Sequence, residues 1–271
     1  MLPNTMRIVL TNDDGFDAPG LAALWHAVSL LPEAEIEVIA PAESYSGKGH
    51  VLSKQIACRR RTIEPIGQVL VVEGTPVDCV CAALHLPDLA RPDWILAGIN
   101  RGSNLGVDQY NSGTVAAVRQ AAIFGVPAIA VSQHVIPNEP DDWTRAAREA
   151  AAVLAAIMQP NQPPPPHVDA GLHALTRRAI SDSLDTTPAA PSPPPCWNVN
   201  LPKLPTDHPP VGICCVPLSR DPGHIRYDHR REPDGTERLS YTGIYRQRPV
   251  TPETDVAAVF AGQIAISRLK A

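Results

Sequence analysis

The chain has 271 residues, and 23 Lys and Arg against 28 Asp and Glu leave a formal net charge of −5. A mildly acidic chain lacks the clustered cations that a phosphate backbone demands, and an aromatic content of 4% argues against base-stacking platforms, so no nucleic-acid polymer is expected as partner. No apolar run approaches the roughly 18 residues of a membrane span, so no membrane partner is expected, and 44% hydrophobic residues suffice for a sizeable core.

Residues 1–7 show no basic region followed by a long apolar run, so no secretory signal is read there. Cys58, Cys79, Cys81, Cys196, Cys214 and Cys215 are irregularly spaced without a Cys-x-x-Cys pair. Reduced thiols in a cytoplasmic protein, with no structural zinc, are the expectation.

Arg7–Thr11 predicts a buried strand that ends in the turn residues Asn12-Asp13-Asp14-Gly15. Pro19 to Leu31 predicts a helix, with Leu21, Leu24, Val28 and Leu31 on one face. Ile36–Ala40 and Val69–Val72 are strands, the second followed by Gly74-Thr75-Pro76 and a helix through Leu86. Trp94–Ala97 is a strand, Ser112-Gly113-Thr114 opens a helix to Phe124, and Val126–Val131 is again a strand. This alternation implies right-handed crossovers in a mostly parallel sheet, whose sites form at the carboxyl ends of strands. Trp143–Met158 is an Ala-rich helix. The proline clusters Pro160–Pro166 and Thr187–Pro195 read as surface linker around a short helix, Ala170–Ile180. Trp197–Asn200 and Val211–Val216 are strand-like, Arg226–Tyr241 is a hairpin about Asp234-Gly235, Thr254–Phe260 is a short helix, and Gln263–Leu269 is a last strand. The expected division is an α/β core carrying the site (1–158, 196–219 and 250–271), a proline-rich insertion (159–195) and a protruding arm (220–249).

Two adjacent carboxylates, Asp13 and Asp14, repel each other at a strand end, and a hard divalent cation such as Mg²⁺ or Mn²⁺ removes the conflict. A solvated turn is the plainer reading of the pair taken alone. Asn12 stands where aspartate-nucleophile phosphatases need a carboxylate, and an amide forms no aspartyl-phosphate. The loop Pro41–His50 offers hydroxyls, Lys48 and the glycines Gly47 and Gly49, whose backbone N–H groups can approach an anion, but it is not a P-loop. Gly98–Gly106 is glycine- and asparagine-rich without the dinucleotide fingerprint, and Asn100 lies just beyond the predicted strand, where its amide oxygen could reach a metal. Ser112-Gly113-Thr114 is a helix N-cap that doubles as a phosphate cradle and does not match a serine-hydrolase elbow. His50, His224 and His229 lie in polar loops and carry no assignment. Four polar loops at successive strand ends together suit metal-assisted phosphoester hydrolysis.

Val9–Gly15, Ala18-Pro19-Gly20, Ser46–His50, Gly74–Cys79, Gly98–Gly106, Ser112–Val115 and Pro127–Ser132 together closely resemble the SurE family of metal-dependent nucleotidases. The resemblance is dense over residues 6–135 and resumes at Trp197–Pro202 and from Thr254 to Ser267. It implies a Rossmann-like α/β fold, a mostly parallel sheet flanked by helices with a C-terminal β-hairpin extension. It also implies a homodimer or homotetramer, a nucleoside monophosphate substrate, and one divalent cation, Mg²⁺ or Mn²⁺. Carried over by motif, Asp13, Asp14, Ser46 and Asn100 would hold the cation. Asn12, Gly47, Ser112, Gly113 and Thr114 would surround the phosphate, and Asp13, Asp14 and Asn12 would be catalytic. The implied activity is hydrolysis of nucleoside 5′- and 3′-monophosphates. A broad acid phosphatase or exopolyphosphatase, or a nucleotide-binding protein without turnover, are the alternatives. Members commonly carry a basic residue where this chain has Tyr45, and both the 159–195 segment and the hairpin depart from the family pattern.

Overall fold

Successive residues of a strand point to opposite faces, and in the central strands of this chain both faces are buried. The computed structural model, which describes residues 5–183, 194–205 and 208–270, shows this from the first strand. In β1 (Met6–Thr11), Ile8 and Leu10 pack into one helical layer and Val9 into the other. Following in chain order are α1 (Pro19–Ser29), β2 (Ala34–Pro41), β3 (Cys58–Ile63), β4 (Gly67–Val72), α2 (Pro76–His85) and β5 (Trp94–Arg101). A 3-10 turn (Gly106–Tyr110) leads to α3 (Gly113–Ile123), β6 (Ala128–Gln133), α4 (Trp143–Met158) and α5 (Ala170–Ser183). The remainder is β7 (Cys196–Leu201), β8 (Gly212–Cys215), β9 (Tyr227–Arg231), β10 (Glu237–Tyr241), α6 (Asp255–Phe260) and β11 (Gln263–Arg268).

Nine strands form one sheet in the order β3-β4-β2-β1-β5-β6-β7-β11-β8. It is parallel except where β3 meets β4 and β11 meets β7. Helices α1, α4 and α5 cover one face, and α2 and α3 the other. Leu10, Leu24 and Leu154 are fully buried, and truncating any one to Ala is expected to cost about 2–5 kcal/mol. The chain leaves β1 toward β2 on one side and returns to β5 on the other. A crevice therefore opens at the carboxyl ends of β1 and β5, where such sheets bind ligands.

Three differences from the sequence reading stand out. The edge strand β3 was not expected: Cys58-Arg59-Arg60-Arg61-Thr62-Ile63 has no apolar alternation, and its register with β4 and the Arg60–Glu37 ion pair (2.9 Å) hold it. Strand β5 continues to Arg101, past a bulge between Ala97 and Asn100, so Asn100 belongs to the strand end itself. The Pro160–Pro166 cluster is not linker throughout. It turns Pro165 and Val168 inward, and α5 packs on α4 and β8 with Leu172 in the main core. The expected linker at Thr187–Pro195 lies mostly outside the described residues. Hairpin β9–β10 turns at Asp234-Gly235 as read, and all ten of its strand residues are exposed. Among the described residues no helix is long and apolar enough to cross a membrane.

Candidate active site

The loop after β1 carries Asp13 and Asp14 into the crevice, and four other segments meet it there. The Tyr45 N–H donates to the Asp13 carbonyl (2.8 Å), bringing in the loop after β2. The Arg101 N–H donates to Asp14 Oδ2 (3.2 Å) from the end of β5. Thr114 Oγ1 donates to Asp13 Oδ1 (2.6 Å) from the first turn of α3. Gly113 has no room for a side chain, because a Cβ there would lie 2.9 Å from Asp13 Cβ and 3.2 Å from Pro76 Cγ, on the first turn of α2. Gly98 is similarly required: its φ is +141°, and a Cβ would sit 2.2 Å from the Val131 carbonyl oxygen.

Burial sets the electrostatics. Asp13 is 3% exposed, and desolvation, reinforced by Asp14 and opposed by the Thr114 hydrogen bond, pushes its carboxyl up to about 6. Burial also raises Asp14, against the Arg101 backbone N–H and guanidinium. Neither carboxylate forms an ion pair among the described residues, because the Arg101 guanidinium is engaged with Asp141 (2.7 Å). The Thr114 hydroxyl and the Arg101 N–H are directed at Asp13 Oδ1 and Asp14 Oδ2, so Asp13 Oδ2 and Asp14 Oδ1 are the less engaged carboxylate oxygens. Asn100 Nδ2 donates to the Gly102 carbonyl (2.6 Å), which leaves Oδ1 as its free donor atom. Asn12 Nδ2 donates to the Gly15 carbonyl (2.7 Å), and its Oδ1 is buried without a partner among the described residues. These are oxygen donors with their own partners missing, the set a hard cation satisfies. Ser46, whose Oγ lies 3.1 Å from Ser44 Oγ, is on the exposed lip of the neighbouring loop. No group of three or more His, Cys, Asp or Glu suited to a metal occurs among the described residues.

The residues expected to surround a phosphate differ in how their groups are engaged. Ser112 Oγ accepts from the Val115 N–H (3.1 Å) as an N-cap, keeping its own proton to donate. Thr114 has already given its proton to Asp13, so it positions the carboxylate. The Gly113 and Gly47 N–H groups have no partner among the described residues. Lys48 Nζ lies 4.6 Å over the Tyr45 ring, so a cation reaches the loop although position 45 is not basic.

The sequence reading did not single out what holds these loops. Asn104 N–H donates to Asn200 Oδ1 (2.9 Å), and Asn104 Nδ2 to Ser132 Oγ (2.8 Å). Asn198 Nδ2 donates to the Asn104 carbonyl (2.8 Å). This buried network ties the Asn100 loop to the ends of β6 and β7. The paired asparagines of Trp197-Asn198-Val199-Asn200, alternating in a buried strand, were its one sequence signal. Asp78 accepts from the N–H and Oγ of Ser53 (2.9 and 2.7 Å) and closes the cap of α2, anchoring the loop after β2. Asp108 accepts from Tyr245 Oη (2.8 Å) and Arg248 Nη1 (2.6 Å), fixing the base of the hairpin. His50 meets Gln120 (2.8 Å), His224 Nδ1 accepts from the Ile244 N–H (3.1 Å), and His229 bonds Glu237, all outside the crevice.

The family described as Survival protein SurE matches residues 8–220. The 5′-nucleotidase SurE of Geotalea daltonii is 39% identical over 182 residues, 67% of this chain and 71% of its own length. That of Nitratidesulfovibrio vulgaris (strain DP4) is 33% identical over 269 residues, 98% of this chain and 93% of its own. The crystal structure of the SurE protein from Aquifex aeolicus superposes with a TM-score of 0.68 at 26% identity, covering 97% of this chain and 92% of that one. The crevice, its two carboxylates and the cap of α3 fall inside the matched region, and the chain belongs to the SurE family.

Proposed function

We propose that this chain is a metal-dependent 5′-nucleotidase, also acting on 3′-monophosphates, that hydrolyses nucleoside monophosphates to nucleoside and phosphate. One observation carries the reading. Buried Asp13, bonded to the capped N-terminus of α3, and half-buried Asp14 beside it lie at the sheet's switch point with no ion-pair partner among the described residues. The nucleotidase names of the relatives supply the substrate class.

Asp13 Oδ2, Asp14 Oδ1, Asn100 Oδ1 and Ser46 Oγ are the groups that would hold Mg²⁺ or Mn²⁺. A cation there supplies Lewis-acid polarisation of the phosphoryl oxygens. The Gly113 and Gly47 N–H groups, the Ser112 hydroxyl and the positive end of α3 hold the phosphoryl oxygens as charge develops. Asn12 fixes the turn that presents both carboxylates, and Thr114 fixes the Asp13 rotamer. Hydrolysis forms a bond from water oxygen to phosphorus and breaks the bond to the nucleoside oxygen, which leaves with a proton from water.

Six thiols without a disulfide fit a cytoplasmic location. The exposed Ile225, Tyr227, Leu239 and Tyr241 of the arm fit a homodimer or homotetramer built through it. The test compares phosphate release from AMP, 3′-AMP, tripolyphosphate and p-nitrophenyl phosphate. A kcat/KM for AMP at least tenfold above the last two is expected, and equal rates on all four would overturn the nucleotidase assignment.

A further inference from the structure

The 3-10 turn Gly106–Tyr110 has two sides. The Tyr110 carbonyl faces the Ser46–His50 loop, 3.0 Å from where a Gly49 Cβ would be. A separate cavity of about 680 Å³ is lined by Tyr110, Arg119, Ser219, Arg220, Arg268 and Lys270. It contains none of the crevice residues. Arg119 sits on α3 six residues beyond Gly113, about 9 Å along the helix at 1.5 Å per residue.

Its charge is unusual for this protein. Four cations line it and, among the described residues, no Asp or Glu does. Among the described residues none of the four forms an ion pair. The neighbouring carboxylate, Asp221, is turned to Ser219 Oγ (3.1 Å) and Thr251 Oγ1 (2.6 Å). Two of the guanidiniums are held by other means. Arg119 donates to the Gln109 carbonyl (3.3 Å) and lies 5.7 Å from the Tyr110 ring, and Arg268 lies 6.0 Å from the Trp197 ring. In a chain of net charge −5, four like charges around one cavity raise the local potential and focus it on whatever enters. Guanidiniums with unused N–H groups match phosphate oxygens in pairs. The volume lies within the range of small-molecule sites and exceeds what one phosphate fills.

We propose that this cavity is a second anion site, distinct from the catalytic crevice, that binds an extended polyphosphate anion, either a free phosphate chain or one carried by a nucleotide. The inference is independent of the nucleotidase reading, since binding is measured without turnover.

The test is calorimetric titration of the full chain in EDTA with tripolyphosphate, ATP and AMP. Tripolyphosphate is expected to bind with affinity that falls steeply with salt and at least tenfold above AMP. Equal affinity for ATP assigns the site to the phosphate chain, and tighter ATP to the nucleotide. Arg268→Gln with Lys270→Gln, both on the surface, is expected to weaken tripolyphosphate at least tenfold and leave AMP turnover unchanged. Asp14→Asn is expected to leave tripolyphosphate affinity intact. Unchanged affinity in the double variant, or loss only in Asp14→Asn, would overturn the proposal. So would a change in oligomeric state with affinity unaltered, which would give the cavity to a second copy of the chain.

Discussion

Thr114 donates its hydroxyl proton to Asp13 Oδ1 at 2.6 Å, so one hydrogen bond joins the first turn of α3 to the loop after β1, 101 residues away. The bond is charge-assisted and buried, and it opposes the desolvation of Asp13. Thr114→Val keeps the shape and leaves the carboxylate without its donor. The expected result is a loss of about 1–3 kcal/mol in urea unfolding and at least a tenfold fall in kcat on AMP, with Thr114→Ser restoring most of both.

Asp13→Asn and Asp14→Asn should each lower phosphate release from AMP by at least about 100-fold with an unchanged far-ultraviolet circular dichroism spectrum. In EDTA, Asp13→Asn should melt no lower than the parent chain, because the amide carries no buried charge and still accepts from Thr114. Full activity in both variants would sink the site assignment.

The asparagine network is a positioning device. Asn198→Ala removes the donor to the Asn104 carbonyl and leaves that buried carbonyl with the longer bond from Asn200 Nδ2 (3.3 Å). A loss of about 1–3 kcal/mol is expected. If the network sets the Asn100 loop, the metal concentration for half-maximal activity should rise while KM for AMP changes less.

His134, at the end of β6, is 2% exposed, contacts Ser103 Oγ (3.0 Å) and Arg246 Nε (3.5 Å), and lies near the rings of Tyr245 and Phe260. Burial, with the Arg246 charge second, pulls its pKa from 6.5 to about 4. Above 6.5 it is neutral in both states and its contribution to stability is complete. As pH falls from about 6.5 toward 4, the unfolded chain takes a proton that the folded chain refuses, and stability is lost. The difference in melting temperature between pH 7.5 and pH 5 should shrink in His134→Gln, and an unchanged difference would contradict this account.

Asp108 carries the base of the arm. Arg248 is 5% exposed, and Asp108→Ala strips it of its only carboxylate among the described residues. Leaving a buried guanidinium unpaired is expected to cost about 3–5 kcal/mol. Limited proteolysis should then cut residues 220–249 faster, whereas Asp228→Ala in the exposed strand should change neither reading.

Much of this was legible locally. Ile8, Val9 and Leu10 announce a strand buried on both faces, Asp13-Asp14-Gly15 marks its end, and Ser112 caps α3 as its type and place suggest. The alternation of elements marks the loops after Thr11, Ala40, Val72 and Ala97 as places for a site, and the strand order then sets the crevice at the ends of β1 and β5. What sequence could not give is chemistry assembled across the chain. Nothing local to Ser112-Gly113-Thr114 says that the Thr114 hydroxyl donates to Asp13. Asn104 and Asn198 meet across 94 residues, and each alone looks like turn or strand filler. Strand β3 has arginines where a core strand would have apolar residues, because it is an edge strand paired with β4 along one side, and its arginines meet Glu37 and Glu73 at the exposed surface. Pro165 is buried and Val168 reaches the core from a segment whose composition resembles linker, since proline content reports backbone stiffness and says nothing of burial.

The central claim is that the oxygen donors around Asp13 and Asp14 hold a divalent cation required for phosphoester hydrolysis. The most direct measurement is inorganic phosphate release from AMP, first in EDTA and then with Mn²⁺ or Mg²⁺ restored. The account predicts release that disappears with EDTA and returns with metal in the parent chain, and that does not return in Asp13→Asn. Undiminished release in EDTA, or no release from any nucleoside monophosphate under either metal, would contradict it.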